Sequence, residues 1–318
     1  MTGLVYRAAT LDDAALAADL MTAAYPAVAQ DPVVTRFRWE HPRHGWAYRR
    51  FIAEVAGQAI AYVASTHGPW DQLPDRVCDV EVSLDRARLG AELLRLLWER
   101  IGAEAAADGA RILEAYAAED EPDVIDALHR VGYEKDRVER VWELDLHAHG
   151  KHLLEEAQAA RKAMGAAGFD LLTLADWGDP EKLRKVHALN ELTIQDAPHT
   201  FPILTETFEN FMERVSRPDR PLDRFWVARD GERAVALSYL LFPPVRGTVW
   251  TGFTCCDPEY RGRGLARAVK LQSLAQAIEL GIPAVFTDND STNAPMLHIN
   301  ETLGYQRRPG FVSFVKRL

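Results

Sequence analysis

The chain has 318 residues, 47% of them hydrophobic and 26% charged, and a formal net charge of −10. That length favours two domains over one, and the acidic balance argues against nucleic acid or an anionic membrane as the main partner. No apolar run approaches the length of a bilayer span, residues 1–12 lack a basic-then-apolar leader pattern, and three cysteines form no disulfide framework, so a reducing cytoplasm is the expected setting.

From the N-terminus, residues 4–7 read as a short strand and 12–25 as a helix. Residues 51–55 and 59–64 flank Ala56-Gly57-Gln58 as a strand pair. Residues 77–83 form a further strand. The helix expected over 89–106 carries Leu93, Leu96 or Leu97, and Ile101 on one face. A strand over 112–116 and a helix over 122–131 follow, and residues 137–146 alternate like a strand that closes a sheet. At the junction, Leu153, Leu154, Ala157 and Ala160 have helical spacing, which predicts a short, stiff bridging helix.

A second series begins with a strand over 170–174 and a helix over 180–195. After the proline-punctuated loop Asp196-Ala197-Pro198-His199-Thr200-Phe201-Pro202 come a helix over 206–215 and a hairpin, 225–228 with 234–241, around Asp230-Gly231. Residues 247–256, rich in Thr, Val, Trp and Phe, suit a strand, with Cys255 and Cys256 on opposite sides. The helix over 265–281 carries Leu271, Leu274 and Ile278. Between strand and helix stands Tyr260-Arg261-Gly262-Arg263-Gly264-Leu265-Ala266. A glycine-rich turn that opens a helix aims unpaired N–H groups and the helix dipole at one point, which suits a phosphate. Gly262 and Gly264 allow close backbone approach. The spacing is neither a P-loop nor the three-glycine dinucleotide fingerprint, although Asp288 falls near the distance of the latter's acid. A strand over 284–289 and a helix from Asn293 to a stop at Leu303-Gly304-Tyr305 complete the series.

The order Arg261, Gly264, Ala266, the strand after it and the Asn293 to Tyr305 ending resemble the GNAT superfamily of N-acetyltransferases, over about 169–318. The resemblance implies an α/β fold with a mixed sheet and acetyl-coenzyme A as co-substrate. Because the first half repeats the same order, it implies two tandem GNAT-like acyl-CoA N-acyltransferase domains: 1–148, a helical linker over 149–168, and 169–318. The first copy's loop reads Asp85-Arg86-Ala87-Arg88-Leu89-Gly90-Ala91. Setting Gly90 against Ala266 puts Arg88 at the place of Gly264 and Asp85 at that of Arg261, so this copy is expected to be degenerate and to wall the acceptor cleft. Glu81 lies in the strand where some members keep a general base, and a structural role is expected for it.

Acetyl transfer to an amine needs an acceptor for the amine proton, a donor to the carbonyl oxygen and a proton for the departing thiolate. By the resemblance, Thr254, Cys255 and Cys256 contact the pantetheine arm, and the N–H of Cys256 is the oxyanion donor. Arg261, Gly262, Arg263, Gly264, Leu265 and Ala266 hold the diphosphate, while Thr287, Asn289, Asn293 and Met296 line the opposite side. Asp196 and His199 face the acceptor. Where many members keep a tyrosine acid this chain has Asn300, which donates a hydrogen bond but supplies no proton, so Tyr239 or His298 are alternatives. Tyr305 takes the place of a core phenylalanine. Thr254, Lys270, Asn293, Met296 and Asn300 together are similar to a tandem branch close to the mycothiol synthases. The expected activity is N-acetylation of a primary amine on a small molecule by a monomer or homodimer, without a metal. An acyl-coenzyme A sensor without turnover and an acyltransferase for peptide N-termini are the alternatives.

Overall fold

The computed structural model describes residues 3–88 and 90–318, so Met1, Thr2 and the expected helix start at Leu89 lie outside the described residues. The first half comprises β1 (Leu4–Ala8), α1 (Ala14–Ala24), α2 (Pro32–Glu40), β2 (Ala47–Val55), β3 (Gln58–His67), β4 (Val77–Leu84), α3 (Ala91–Ala107), β5 (Ile112–Ala118), α4 (Pro122–Arg130) and β6 (Glu134–Asp145). Helix α5 (Leu146–Ala166) leads into β7 (Asp170–Thr173), α6 (Lys182–Ile194), α7 (Phe208–Val215), β8 (Phe225–Asp230) and β9 (Arg233–Leu241). The chain ends with β10 (Val249–Cys256), α8 (Leu265–Glu279), β11 (Ala284–Asp290), α9 (Ala294–Thr302) and β12 (Gln306–Arg317).

All twelve strands join one mixed sheet in the order β1-β2-β3-β4-β5-β12-β6-β11-β10-β9-β8-β7. The strand read as closing a sheet is β6, and it lies inside the sheet, antiparallel to β11 on one side and to β12 on the other. The terminal strand β12, which the sequence pattern did not single out, pairs with β5 from Phe311 opposite Ala118 to Arg317 opposite Ile112. The halves therefore exchange their last strands. Val312 and Phe314 of β12 pack with Trp98, Leu128 and Tyr133 of the first half, while Trp142 and Leu144 of β6 pack with Leu271, Val285 and Leu297 of the second. At Gly310 the backbones of β12 and β6 come so close that a Cβ would sit 2.1 Å from the Glu139 carbonyl oxygen.

Helix α5 is not the short bridge expected. It runs 21 residues straight from the end of β6, with Asp145 accepting from the His147 and Ala148 amides at 2.9 Å each as its N-cap. Its Leu153 and Ala157 are buried in the second-half core against α8. Helix α2 was also unforeseen. Asp31 starts it by accepting from the Val33 amide at 2.8 Å and the Val34 amide at 3.0 Å. Its other oxygen accepts from Val245 at 2.6 Å and Arg246 at 3.0 Å, so one buried carboxylate fastens the two halves.

Candidate active site

The two halves can be superposed in sequence at one hydrogen-bonded point. The Asp257 amide donates to the Val235 carbonyl at 2.9 Å, and the Asp85 amide donates to the Ile60 carbonyl at 2.9 Å. Each carboxylate then caps the turn that follows, Asp257 at the Glu259 amide (3.0 Å) and Asp85 at the Ala87 amide (2.9 Å). With Asp85 against Asp257, the first half reaches its helix at Ala91 and the second at Leu265, so the first-half loop is shorter by two residues. This corrects the alignment of Gly90 with Ala266. The first half has not replaced the glycine turn residue for residue; it lacks it, and Gly90 is extended at φ −166°.

In the second half Gly262 and Gly264 are both left-handed, at φ +74° and +81°. No protein atom stands within 4 Å of where a Cβ would be at either one. The turn is open rather than crowded, and glycine is needed there for its backbone angle. Among the described residues, the amides of 262–267 meet no protein acceptor, and the first helical bond is Ala268 to Gly264 at 2.9 Å. Six consecutive N–H groups thus lack a protein acceptor at the positive end of a 15-residue helix. Arg261 and Arg263 flank them, exposed. Arg263 lies over the Tyr260 ring at 5.0 Å.

Beside this turn β10 and β11 separate. They are paired only at Val249 with Val285 and Trp250 with Phe286, after which β10 bulges between Thr251 and Phe253. Gly252 makes room there for the Tyr239 ring, whose Cε2 would be 2.1 Å from an added Cβ. Because Asp257 donates to Val235, alternation turns the main-chain groups of Cys255 toward β9 and those of Thr254 and Cys256 toward the gap. By the same parity the Ser291 amide bonded to Val138 turns Thr287 and Asn289 toward β6, and leaves the main chain of Asp288 facing the gap.

This sorts the residues expected to hold the cofactor. Thr254 and Cys256 present main-chain groups to the gap. Cys255 does not: its side chain packs among Val186, Leu189 and Phe211 on the far face. Thr287 does not either, being 3% exposed with its main chain engaged by β6. Asn293 caps α9 by accepting from the Met296 amide at 3.4 Å. Asn289 accepts at 2.6 Å from the Nδ2 of Asn300, which is fully buried. Burial pushes the thiols of Cys255 and Cys256 up to about 12 and about 11, so neither is a thiolate nucleophile near neutrality.

The two residues expected at the acceptor are engaged differently. Asp196 is ion-paired to Arg261, both about half exposed, and Arg261 also donates to the Cys256 carbonyl at 3.3 Å. His199 lines a cavity of about 240 Å³ at the junction of the halves, with Arg137, Glu139 and Asp290. Desolvation, then the Arg137 charge, lower its pKa and favour the neutral ring. Of the alternative acids, His298 is exposed, and the Tyr239 hydroxyl accepts from Arg214 at 3.4 Å.

A group the sequence pattern did not place at the site is Lys270. Its side chain is fully buried on the inner face of α8, its Nζ has no hydrogen-bond partner, and it sits 5.0 Å from the Tyr305 ring centroid. Burial pulls its pKa down to about 7, opposed by the Asp288 charge. Thr251 Oγ1, Asn300 Oδ1 and the Tyr305 hydroxyl are also buried without partners. Six amides without an acceptor at the start of α8, beside the gap between β10 and β11, fit an anionic ligand there.

Residues 186–305 match the acetyltransferase (GNAT) family. No curated protein sequence matches the chain. Among solved structures, a tandem GNAT protein from the clavulanic acid biosynthesis pathway shares the fold with a TM-score of 0.76 at 16% identity, over 99% of this chain and 98% of that one. A GCN5-related N-acetyltransferase from Sphaerobacter thermophilus follows with a TM-score of 0.67 at 17% identity, over 99% and 95%. An acetyltransferase from the GNAT family of Colwellia psychrerythraea gives 0.61 at 12%, over 98% and 100%. Residues 186–305 thus match the GNAT acetyltransferase family, within a chain whose fold is that of a tandem GNAT protein.

Proposed function

We propose that residues 169–318 bind acetyl-coenzyme A and pass its acetyl group to a primary amine of a small molecule. In this reading residues 1–148 form a companion copy that binds no coenzyme A, tied on through 149–168. The observation that carries it is the run of unpaired amides at 262–267, at the positive end of α8 and beside the gap between β10 and β11. A cytoplasmic setting fits the three free cysteines, and no helix among the described residues is long and apolar enough to cross a membrane.

Once bound, acetyl-coenzyme A supplies an activated acyl group at the gap. The turn amides and the helix dipole hold the diphosphate, while Arg261 and Arg263 add charge at its rim. The Cys256 amide, aimed into the gap, receives the negative charge that develops on the carbonyl oxygen. Neutral His199 accepts the amine proton. Asn300, fixed by Asn289, can only donate a hydrogen bond to the leaving sulfur; Lys270 on the inner face of α8 is a buried group that can release a proton near neutral pH.

Calorimetry with acetyl-coenzyme A, combined with thiol release over a panel of amines, tests this reading. One equivalent bound and amine-dependent thiol release are expected. Absence of binding would overturn it. Binding without turnover would favour a sensor, the alternative that asparagine at position 300 supports.

A further inference from the structure

A cavity of about 720 Å³ lies in the first half, away from the second-half cleft. Strands β4 and β5 pair only from Val77 opposite Ile112 to Asp79 opposite Glu114 and then part, as β10 and β11 do. The space between them is roofed by α1 and α2 and closed by Asn210, Glu213, Arg214 and Arg217 from α7 and the turn after it. It lies five strand positions from β10, roughly 24 Å across the sheet. A volume of this size suits a small organic ligand.

The loop beside it is built differently from the second-half turn. It lacks the two-glycine turn, the Ala87 amide is taken by the Asp85 carboxylate at 2.9 Å, and the Arg88 amide by the Asp85 carbonyl at 2.8 Å. Its arginines are engaged as well, Arg86 with Glu121 at 2.9 Å and Arg88 with Gln58 at 2.5 Å. What lines the cavity instead is aromatic and of mixed charge. Phe37, Trp39, Tyr48, Tyr62 and Tyr116 supply rings.

Most of the charged groups on its wall are already satisfied. Arg50 lies over Trp39 at 4.8 Å and Tyr48 at 4.7 Å, Arg214 is paired with Glu206 at 2.7 Å, and Arg217 with Asp219 at 2.5 Å. Glu213 pairs with His41 at 2.8 Å. The exceptions are Arg38, Glu81 and Asp79, whose ladder neighbour Glu114 is another carboxylate. Arg38 has no hydrogen bond or ion pair among the described residues, and Glu81 only the Ser83 hydroxyl at 2.7 Å. Each feels the other's charge without forming an ion pair, and enclosure shifts both toward neutrality, the arginine down and the glutamate up. A cation and an anion without ion-pair partners on the wall of one ring-lined cavity leave room for a molecule carrying the opposite charges.

We propose that this first-half cavity binds a small zwitterion of the amino-acid class, free or as a short peptide, its carboxylate on Arg38, its ammonium on Glu81 and its apolar part among the rings. Nothing is transferred in this cavity. The site is independent of the coenzyme A turn, and through α7 it touches the half that carries that turn.

Calorimetry on the full chain, without acetyl-coenzyme A, with each free L-amino acid and a set of dipeptides tests the proposal. One-site binding of at least one of them is expected, weakened at least roughly tenfold by N-acetylating or amidating the best ligand and by Arg38→Met or Glu81→Gln. Thermal transitions matching the parent chain would show both variants folded, since Arg38 and Glu81 are exposed to the cavity rather than packed. No binding by any of them would overturn the proposal, as would undiminished binding of the blocked forms. A second equivalent of acetyl-coenzyme A that Arg38→Met removes would do the same. Because no acetyl-coenzyme A is present in the main titration, its failure leaves the reading of the second half untouched.

Discussion

Asp85 and Asp257 end equivalent strands with the same pair of hydrogen bonds, yet the path from each to its helix differs by two residues. The difference removes a left-handed glycine turn. One half of a duplicated fold therefore keeps a glycine turn with acceptor-free amides at its helix start, and the other keeps a cavity.

Gly264→Asp is expected to abolish acetyl-coenzyme A binding. It places a carboxylate among six amides meant for phosphate and forces a side chain into φ +81°, which alone costs roughly 1–2 kcal/mol. Gly264→Ala should show only the backbone cost. Arg88→Asp should leave binding as it is, since Arg88 only donates to Gln58. Equal loss in Gly264→Asp and Arg88→Asp by calorimetry would show that both halves hold the cofactor.

Much of this site was readable in advance because its signals are local. Two glycines at a helix start, the Thr- and Trp-rich strand before it and the Asn293 cap are each set by neighbours in sequence. Cys255 and Thr287 were misjudged because which edge of a strand a residue presents depends on pairing register, which composition does not carry. The exchange of β6 and β12 was invisible for the same reason: alternation marks a strand but not its neighbour. Lys270 figures in the sequence only as part of a branch resemblance, with no role of its own, because a lysine in a helix is ordinarily solvated, and only the packing of α8 against the sheet buries it. The first-half cavity is assembled from several helices and five strands, so no short stretch announces it.

Asp196→Asn tests whether that residue serves the acceptor or the turn. Its ion pair with Arg261 is about half exposed and contributes at most about 1 kcal/mol to stability. Releasing Arg261 should leave acetyl-coenzyme A affinity unchanged or tighter, with kcat reduced less than about tenfold. A large fall in kcat at unchanged affinity would return Asp196 to the chemistry.

Lys270 gives the chain a pH signature. Its folded-state pKa is about 7 against an ordinary 10.5, with Asp288 and the Tyr305 ring as the groups facing it. Between those two values the unfolded chain binds the proton and the folded one does not, so stability from this group rises with pH across that window. Below about 7 both states carry the proton, and the folded state bears the full cost of a buried charge. Lys270→Met, which keeps the length of the side chain, should flatten this slope and stabilise the chain at pH 6 by up to about 5 kcal/mol, at roughly 1.4 kcal/mol per unit. Denaturant titrations of both proteins from pH 6 to 10 check the difference. If Lys270 also supplies the proton to the leaving sulfur, the same variant should lose turnover while still binding acetyl-coenzyme A. Parallel stability curves would show that Lys270 titrates normally.

The exchanged strands make the stability of one half depend on residues of the other. Phe314 is 1% exposed, lies in the last strand of the chain, and packs in the first-half core with Trp98 and Tyr133. Truncating it should cost about 3–5 kcal/mol, as for other buried aromatic residues. The loss should appear first in the first half, because β12 is the strand that pairs with β5. Hydrogen exchange on Phe314→Ala should therefore show faster exchange in β5 and α3 than in β8 and β9, although Phe314 follows β9 in sequence by more than seventy residues. For the same reason the unmodified chain should unfold in a single cooperative transition, and a fragment ending at residue 148 should not fold alone, since its β5 would face solvent where β12 now lies. Two separate calorimetric transitions, or a folded 1–148 fragment, would show that the exchanged strands do not couple the halves.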